Sequence, residues 1–424
     1  MSYKLARAAT LFVALAAADN RLWGQDTASL TLQRVRSSAR ATSPELAAAQ
    51  RAVEAARARA RQAGAFLNPV LSYDREQTGG GGSEGTLQDI VAVEQILEHP
   101  GLRGARRDAA TLRLSVAAAR LRSAESQLDL DVTRAYAEAI AAGRRAVLAD
   151  SAGRAFTTAR TVSEKRLREG DISGFAARRI RLEAARYSAL RADANLALAT
   201  ARLALATMSG LAISNATALA EPTADVAVTA LLANADSLAP LALRSRPDLA
   251  VAVLEVDVAA METQLASRER FPHATFTLGA KREELSSGDR PAGFVAGLSL
   301  PLPAWDRRAG AIEAARAETA RRSAELSAVR RNVTREVAEA VEGLRAVEQQ
   351  RGILGSAVQA DAAGALRAAE VAYAEGELSL IELLDTVRAY YETQTTIANL
   401  RAELLVRVAL LERAVGTSLL QELR

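Results

Sequence analysis

The residue types that carry out covalent or metal chemistry are scarce in this sequence. It contains no cysteine, which rules out disulfides, thiolate metal sites and thiol catalysis. Its two histidines, His99 and His273, lie in strand-like segments and have no histidine or cysteine companion at metal-ligand spacing. No nucleophile is grouped with a base. The sequence therefore predicts no enzyme, cofactor or metal site, and the histidines are expected to be ordinary strand or interface residues.

The charge balance gives little support to nucleic-acid binding. The chain has 54 basic and 50 acidic residues, and their signs alternate along helical segments instead of forming a basic block. Apolar residues make up 49% of the chain, which is enough for packed structure, whereas aromatics make up only 4%. Long helices that pack through Ala and Leu need few aromatics, so this composition favours helix.

The prolines show how the chain is organised. Residues 101–221 and 304–424 contain none, and the two stretches have equal length. Because proline costs about 3 kcal/mol inside a helix, both stretches are predicted to be long helices. Matching segments recur about two hundred residues apart: 131–139 with 332–340, 169–173 with 375–379, and Gly210 with Gly416. One structural unit is therefore used twice.

Each unit is predicted to contain a helix, a β-hairpin and a long helical hairpin, in a fold that is mostly α with a small β part. The first long helix, about Ala105 to Arg168, would measure about 95 Å at 1.5 Å per residue, longer than any globular domain. In the second unit Asp306 is predicted to cap a helix that runs unbroken to Ala374. The predicted segments are an N-terminal segment 25–43, repeat 1 at 44–210, a connector 211–246, repeat 2 at 247–416 and a tail 417–424. Repeat 1 is predicted to have its hairpin at 70–97 and its long helices at 105–208. Repeat 2 is predicted to have its hairpin at 273–300 and its long helices at 306–415.

The strands look suited to a membrane. From His273 to Glu283 apolar and polar residues alternate, which places them on opposite faces. Strands of about 9–11 residues match a membrane β-barrel. Four strands cannot close a barrel, since about eight are the practical minimum. Because an open edge in lipid leaves backbone groups unpaired, several chains would have to share one barrel.

The N-terminus reads as an export signal, predicted at residues 1–24. Lys4 and Arg7 precede a short apolar run from Ala8 to Ala18, and cleavage is expected after Ala18 or Gly24. That run is too short to span a bilayer as a helix, and no other stretch reaches about 18 uncharged apolar residues. Without cysteine, a lipid-anchored N-terminus is not expected.

Several motifs resemble those of one family. Residues 372–385 are similar to the turn and descending helix at the periplasmic tip of the TolC-like outer-membrane efflux proteins, or outer membrane factors. Residues 166–173 look most like the heavy-metal and cation efflux branch of that family. Phe271-Pro272 and Pro301-Leu302-Pro303 also match the family's junctions. The resemblance covers about residues 44–416.

This resemblance implies a passive exit duct for small molecules or metal cations. It implies a homotrimer in which twelve strands form one β-barrel in outer-membrane lipid and the helices form a periplasmic tunnel. It further implies docking on a periplasmic adaptor, or membrane fusion protein, and through it on an inner-membrane RND-type pump. The missing acceptor cysteine places the chain with the non-lipidated members.

The functional residues expected from the resemblance lie at the periplasmic end. The adaptor contacts are predicted to be Lys165, Arg168, Glu169, Gly170, Asp171, Ile172, Ser173, Glu375, Gly376, Glu377, Leu378 and Ser379. Glu375, Leu378, Glu382 and Asp385 are assigned to one helical face, which is either a solvated surface or the lining of an acidic constriction. In the second case Arg178, Arg179 or Arg181 would pair with Glu382 or Asp385 and hold the gate shut. Leu380, Leu383, Leu384, Val387 and Tyr391 are assigned to packing.

Two other classes of protein use long helices. A structural or adhesive coiled coil at the cell surface is the main alternative, but it needs no amphipathic hairpin at equivalent positions of both repeats. A periplasmic adaptor has one long helical hairpin with many short strands, whereas this chain has two helical hairpins with few strands.

Overall fold

The computed structural model describes residues 29–79, 85–221, 225–285, 287–375 and 377–419. The first repeat and the segment before it contain α1 (Leu32–Thr42), α2 (Pro44–Ala63), β1 (Val70–Thr78), β2 (Thr86–Leu97), α3 (Leu102–Glu169) and α4 (Gly174–Ser209). The connector contains α5 (Asp225–Ala233) and α6 (Ala235–Ser245), and the second repeat contains α7 (Pro247–Arg268), β3 (Ala274–Glu284), β4 (Ala292–Ser299), α8 (Ala309–Ile353), α9 (Ser356–Glu375) and α10 (Leu380–Val415). The predicted signal peptide and Gly376 lie outside the described residues.

Helix ends follow local chemistry. Ser43 caps α2 by accepting a hydrogen bond from the Leu46 N–H, and Pro44 occupies the first turn, where its missing N–H costs nothing. Gly170 ends α3 with φ of 82°, and Gly416 ends α10 with φ of 88°. Glycine adopts this left-handed conformation without the steric cost of a side chain, so the chain can leave each helix abruptly.

Two predictions about α8 were wrong. Asp306 does not cap this helix; its carboxylate accepts from the Arg308 N–H at 2.7 Å in a turn before the helix begins at Ala309. The helix also stops at Ile353 and resumes as α9 at Ser356, with Leu354 and Gly355 between them. Gly352 and Gly355 explain the break, because each glycine costs about 1 kcal/mol in a helix interior.

The two hairpins join into one antiparallel sheet of order β1-β2-β3-β4. The central pairing places Val93 opposite Leu278 and Ala92 opposite Gly279. Gly279 is required there, since an added Cβ would lie 2.5 Å from the Val91 carbonyl oxygen. The sheet therefore unites the two repeats across β2 and β3.

Four helices continue the sheet in the same order as its strands. α2 lies against α3, α3 against α7, and α7 against α8. Ion pairs cross this layer: Glu255 of α7 pairs with Arg120 of α3 at 2.5 Å and with Arg322 of α8 at 2.8 Å. Sheet and helices thus form a single-layer wall.

The packed cores lie farther along the helices. In the first repeat, α1 packs on α3 and α4 through Val35, Val132 and Leu205, all fully buried. The Tyr136 hydroxyl lies 2.7 Å from the Leu30 carbonyl oxygen and 2.6 Å from that of Ala220, and burial raises its pKa to about 12. In the second repeat the connector helices close a larger core on α8 and α10. These cores fix the helical hairpins relative to each other.

Candidate pore wall and periplasmic tip

The sheet has one apolar and one polar face. Leu71, Tyr73, Val91, Val93, Phe276, Leu278, Phe294 and Leu298 share the apolar face, and all are exposed in the single chain. Ser72, Asp74, Glu76, Gln88, Glu94, Thr275, Thr277, Lys281 and Glu283 share the opposite face, where Gln88 donates to Glu283 at 2.8 Å. The alternation predicted for β3 also holds for most of β1, whereas β2 places Ile90 and Ile96 on the polar face and β4 places Val295 there. A continuous apolar face of this kind requires a non-aqueous partner.

Both edges of this sheet are open. Among the described residues, β1 pairs only with β2, and β4 pairs only with β3. Each edge therefore exposes a row of backbone donors and acceptors. None of the helices in the described ranges is long and apolar enough to cross a membrane.

The long helices end in two similar tips. At the first tip, Gly170 turns the chain and Ser173 caps α4 by accepting from the Ala176 N–H. At the second tip, Ser379 caps α10, and the Glu382 carboxylate accepts in return from the Ser379 N–H at 2.9 Å and from its hydroxyl at 2.6 Å. The hydrogen bond from the Ser379 side chain lowers the pKa of Glu382. Glu382 therefore completes the hydrogen-bonded cap at the start of its own helix.

The residues predicted for the gate do not meet within one chain. Asp385 lies 3.6 Å from Arg388, and Arg178 donates to the Gly174 carbonyl at 3.3 Å. In the described part of the chain, Arg178, Arg179 and Arg181 form no hydrogen bond or ion pair with Glu382 or Asp385, so this pairing stays a prediction. The single helical face assigned to Glu375 and Asp385 was wrong, because Glu375 ends α9 and Asp385 belongs to α10.

The structure reveals an ion pair that the sequence reasoning missed. Arg388 of α10 reaches Glu183 of α4 at 3.4 Å and so links the two helical hairpins. The Glu183 side chain is only 14% exposed. Helical spacing in the sequence indicates only the contact of Arg388 with Asp385, one turn earlier on the same helix, and not this partner on α4.

An aromatic cluster lies beside this ion pair. Phe156 and Tyr187 stack at 4.0 Å, and Tyr391 meets Tyr187 edge-on at 6.1 Å. Burial raises the pKa of Tyr187. Leu383, Leu384 and Val387 are buried in this cluster, in agreement with the packing role predicted for that stripe.

Exposure at the tips differs from the sequence expectation. Leu378 was predicted to be an exposed contact, but it is half-buried and packs against the aromatic cluster. The exposed apolar side chains are instead Phe175, at 74%, and Ile381, at 45%. They occupy equivalent positions, each two residues after the capping serine. Comparing the two repeats at these positions would have identified them.

The second repeat of the chain matches a known protein family. Residues 238–417 match the sequence profile of the family described as outer membrane efflux protein. The second repeat of the chain is therefore similar to this family. It is 24% identical to the cobalt-zinc-cadmium resistance protein CzcC of Cupriavidus metallidurans, over 91% of this chain and 90% of that protein. It is 29% identical to the nickel-cobalt-cadmium resistance protein NccC of Alcaligenes xylosoxydans xylosoxydans, over 66% of this chain and 62% of that one.

Solved structures share the fold along nearly the whole chain. The transmembrane channel protein CusC superposes with a TM-score of 0.73 at 20% identity, covering 91% of this chain and 92% of that one. The outer membrane protein VceC of Vibrio cholerae gives 0.72 at 20% identity, covering 92% and 96%. The mostly helical fold with a small sheet is therefore that of outer-membrane channels.

These relationships confirm three predictions. They are the resemblance to the outer membrane efflux proteins, the location in the cell outer membrane and the role in efflux. The alternative of an adhesive coiled coil is not supported, because the two hairpins of this chain form the sheet of a channel fold.

Proposed function

We propose that three copies of this chain form one passive duct, with a shared β-barrel of twelve strands in the outer membrane and a helical tunnel across the periplasm. This proposal rests on the four-stranded sheet, which is apolar and exposed on one face and unpaired at both edges. Such a sheet is stable in lipid only when neighbours complete its hydrogen bonding. Four strands from one chain are too few, and three chains bring the number well above the practical minimum of eight. The resemblance to trimeric ducts favours three.

We further propose that divalent transition-metal cations are the cargo, delivered by a periplasmic adaptor and an inner-membrane RND-type pump. The curated relatives are named for resistance to cobalt, zinc, cadmium and nickel. The polar face of the sheet carries Asp74, Glu76, Glu94 and Glu283 against one lysine, Lys281. An acidic lining suits cations, and a duct needs only transient contacts with them.

Deleting the gene tests both proposals. The deletion strain is expected to become sensitive to cobalt, zinc and cadmium salts and to recover when the wild-type gene is restored. A deletion strain that became sensitive only to dyes and antibiotics would contradict metal cations as the cargo. It would still support an export duct. A deletion strain as resistant as the parent to all of these compounds would contradict the duct.

The tips are proposed to dock on the adaptor through Phe175 and Ile381, flanked by the tip residues predicted from the sequence. Replacing both with aspartate is expected to abolish export, because two charges per subunit would enter an apolar contact. Metal sensitivity and the amount of protein in the outer membrane are the two measurements. Since both side chains are exposed, the protein level should not change.

A matched control separates docking from folding. Val147 is 62% exposed on α3, far from the tips, and Val147→Asp should leave export unchanged. Leu378→Asp should instead lower the protein level, because Leu378 packs in the cluster. Full export by the Phe175→Asp, Ile381→Asp double variant would rule out docking at these side chains.

The gate is proposed to lie just above the tips, where Arg388 ties the two helical hairpins together. Glu382, Asp385, Arg178, Arg179 and Arg181 would line this level in the assembled duct. Asp385→Ala is expected to raise single-channel conductance in planar bilayers modestly, since its contact with Arg388 is long and exposed. Unchanged conductance would remove Asp385 from the gate.

A further inference from the structure

The apolar face of the sheet ends in a row of charged residues. In the strand register, Arg75 of β1 lies opposite Asp89 of β2, and Asp89 lies opposite Arg282 of β3. Because side chains alternate between the two faces of a strand, these three charges share the face that carries Leu278. Each follows the last apolar row by two residues along its strand, and that row consists of Tyr73, Val91, Ala280 and Phe294.

The charged row lies at the end of the sheet that is farther from the helices. Helices α2, α3, α7 and α8 adjoin the opposite ends of the four strands, whereas the β1–β2 and β3–β4 connections follow the charged row. The proposed duct places these helices in the periplasm. On that basis, the charged row lies at the outer surface of the membrane.

Strand geometry places this row at the border of the hydrocarbon layer. Arg282 is four residues beyond Leu278, about 13 Å along the strand at 3.3 Å per residue. Since strands of outer-membrane barrels tilt by about 40°, this corresponds to a height of about 10 Å, and half of the apolar band is about 12 Å. The long arginine side chain covers the remaining distance, which brings its guanidinium to the level of the lipid headgroups.

Arg282 differs from the other charged residues of this region in its contacts. The Asp89 carboxylate accepts from the Tyr73 hydroxyl at 2.8 Å, and Arg75 lies 3.7 Å from the same oxygen. Arg290, in the β3–β4 connection, pairs with Glu284 at 2.6 Å. Over the part of the chain that the structure describes, the exposed Arg282 side chain forms no hydrogen bond or ion pair. Its five N–H donors are therefore open to an external acceptor.

Phosphate is the acceptor that best matches this position. The planar guanidinium donates two parallel hydrogen bonds to phosphate oxygens, and it is weakly hydrated compared with a lysine ammonium. Arg75 and Arg282 stand two strands apart, about 10 Å between their backbones, so both side chains can reach one headgroup. We infer that this row binds the phosphate of an outer-leaflet lipid, with Arg282 as the main donor and the adjoining apolar rows against the acyl chains. The inference rests on the proposed duct for the orientation of the sheet.

Retention of lipid by the purified trimer tests this site. The full chain, in detergent with EDTA to remove divalent cations, is incubated with diphosphoryl lipid A and separated from free lipid by gel filtration. The retained lipid phosphate is then measured. Two parallel samples contain the same lipid without its phosphates, or diphosphoryl lipid A together with an equal concentration of inorganic phosphate. We expect the wild type to retain the phosphorylated lipid, to release most of the dephosphorylated one, and to be unaffected by inorganic phosphate.

Arg282→Gln is expected to bind diphosphoryl lipid A at least about tenfold more weakly. The substitution removes charge-assisted hydrogen bonds to phosphate while keeping a polar side chain of similar length. Lys281→Gln is the matched control, because it removes the same charge from the next residue, whose side chain lies on the polar face beside Glu283. This control should bind the lipid as tightly as the wild type does.

Asp89→Asn is expected to bind the same lipid several-fold more tightly. The substitution keeps an acceptor for the Tyr73 hydroxyl, removes a negative charge beside the phosphate and releases Arg75 from its carboxylate partner. A row that only stabilised the sheet would give no such gain. Unchanged or weaker binding by Asp89→Asn, in trimers that dissociate at the wild-type temperature, would contradict the inference.

Three other outcomes would overturn the lipid site. They are equal retention of the dephosphorylated lipid, an equal loss of binding in Arg282→Gln and Lys281→Gln, and displacement of the lipid by an equal concentration of inorganic phosphate, which would indicate a site for free anions. If trimers form normally but retain no phosphorylated lipid, only this site is wrong. If the wild type forms no trimers, the proposed duct fails and the lipid site fails with it.

Discussion

The Leu278→Lys variant is expected to disappear from the outer membrane. Leu278 lies in the middle of β3 on the exposed apolar face, opposite Val93. Placing a lysine on the lipid face near the centre of the bilayer costs about 2–4 kcal/mol per subunit. That cost corresponds to a more than tenfold loss of assembled protein.

The neighbouring residue provides the control. Thr277 lies on the polar face and is paired with Glu94, so Thr277→Lys places the same charge beside a carboxylate. Trimer content of outer-membrane fractions, compared without and with heating, should be near normal for Thr277→Lys and at least tenfold lower for Leu278→Lys. Equal trimer content in the two variants would show that the two faces of the sheet do not differ in environment.

The Arg388→Ala variant is expected to leave the tunnel open. Removing Arg388 breaks the link between α10 and α4 and leaves the half-buried Glu183 carboxylate without this partner. A partly exposed ion pair contributes up to about 1 kcal/mol, so three copies together contribute up to about 3 kcal/mol. Because 1.4 kcal/mol is a factor of ten, the ratio of open to closed channels would rise as much as a hundredfold.

Conductance in planar bilayers measures this shift directly. Arg335→Ala is the matched control, because Arg335 also forms an ion pair, with Glu339 at 2.7 Å, but on the exposed surface of α8. The control should keep the low conductance of the wild type. Low conductance in Arg388→Ala as well would mean that the hairpins stay closed through apolar packing alone.

The repeated pattern of the sequence predicted most of the architecture. Alternation in β3 and equal proline-free stretches are local signals, and they located both hairpins and both helical tips. The break at Leu354 and Gly355 was missed because the surrounding sequence is rich in alanine, which predicts continuous helix. Single glycines within a helix are tolerated often enough that they do not predict a break.

The side-chain contacts at the tip were harder to predict. Leu378 and Ile381 are similar residues near one turn, yet only tertiary packing decides that Leu378 turns inward against the aromatic cluster. The pairing of Arg388 with Glu183 joins residues about two hundred positions apart, which helical periodicity alone does not indicate. Comparing equivalent positions of the two repeats gives more information there than either repeat alone.

The mass of the purified chain in detergent tests the central claim most directly. The account predicts three copies in one particle that stays associated until heated and loses its solubility when detergent is removed. A water-soluble monomer that binds neither detergent nor lipid would contradict it, because an exposed apolar sheet with two unpaired edges would then need no neighbours.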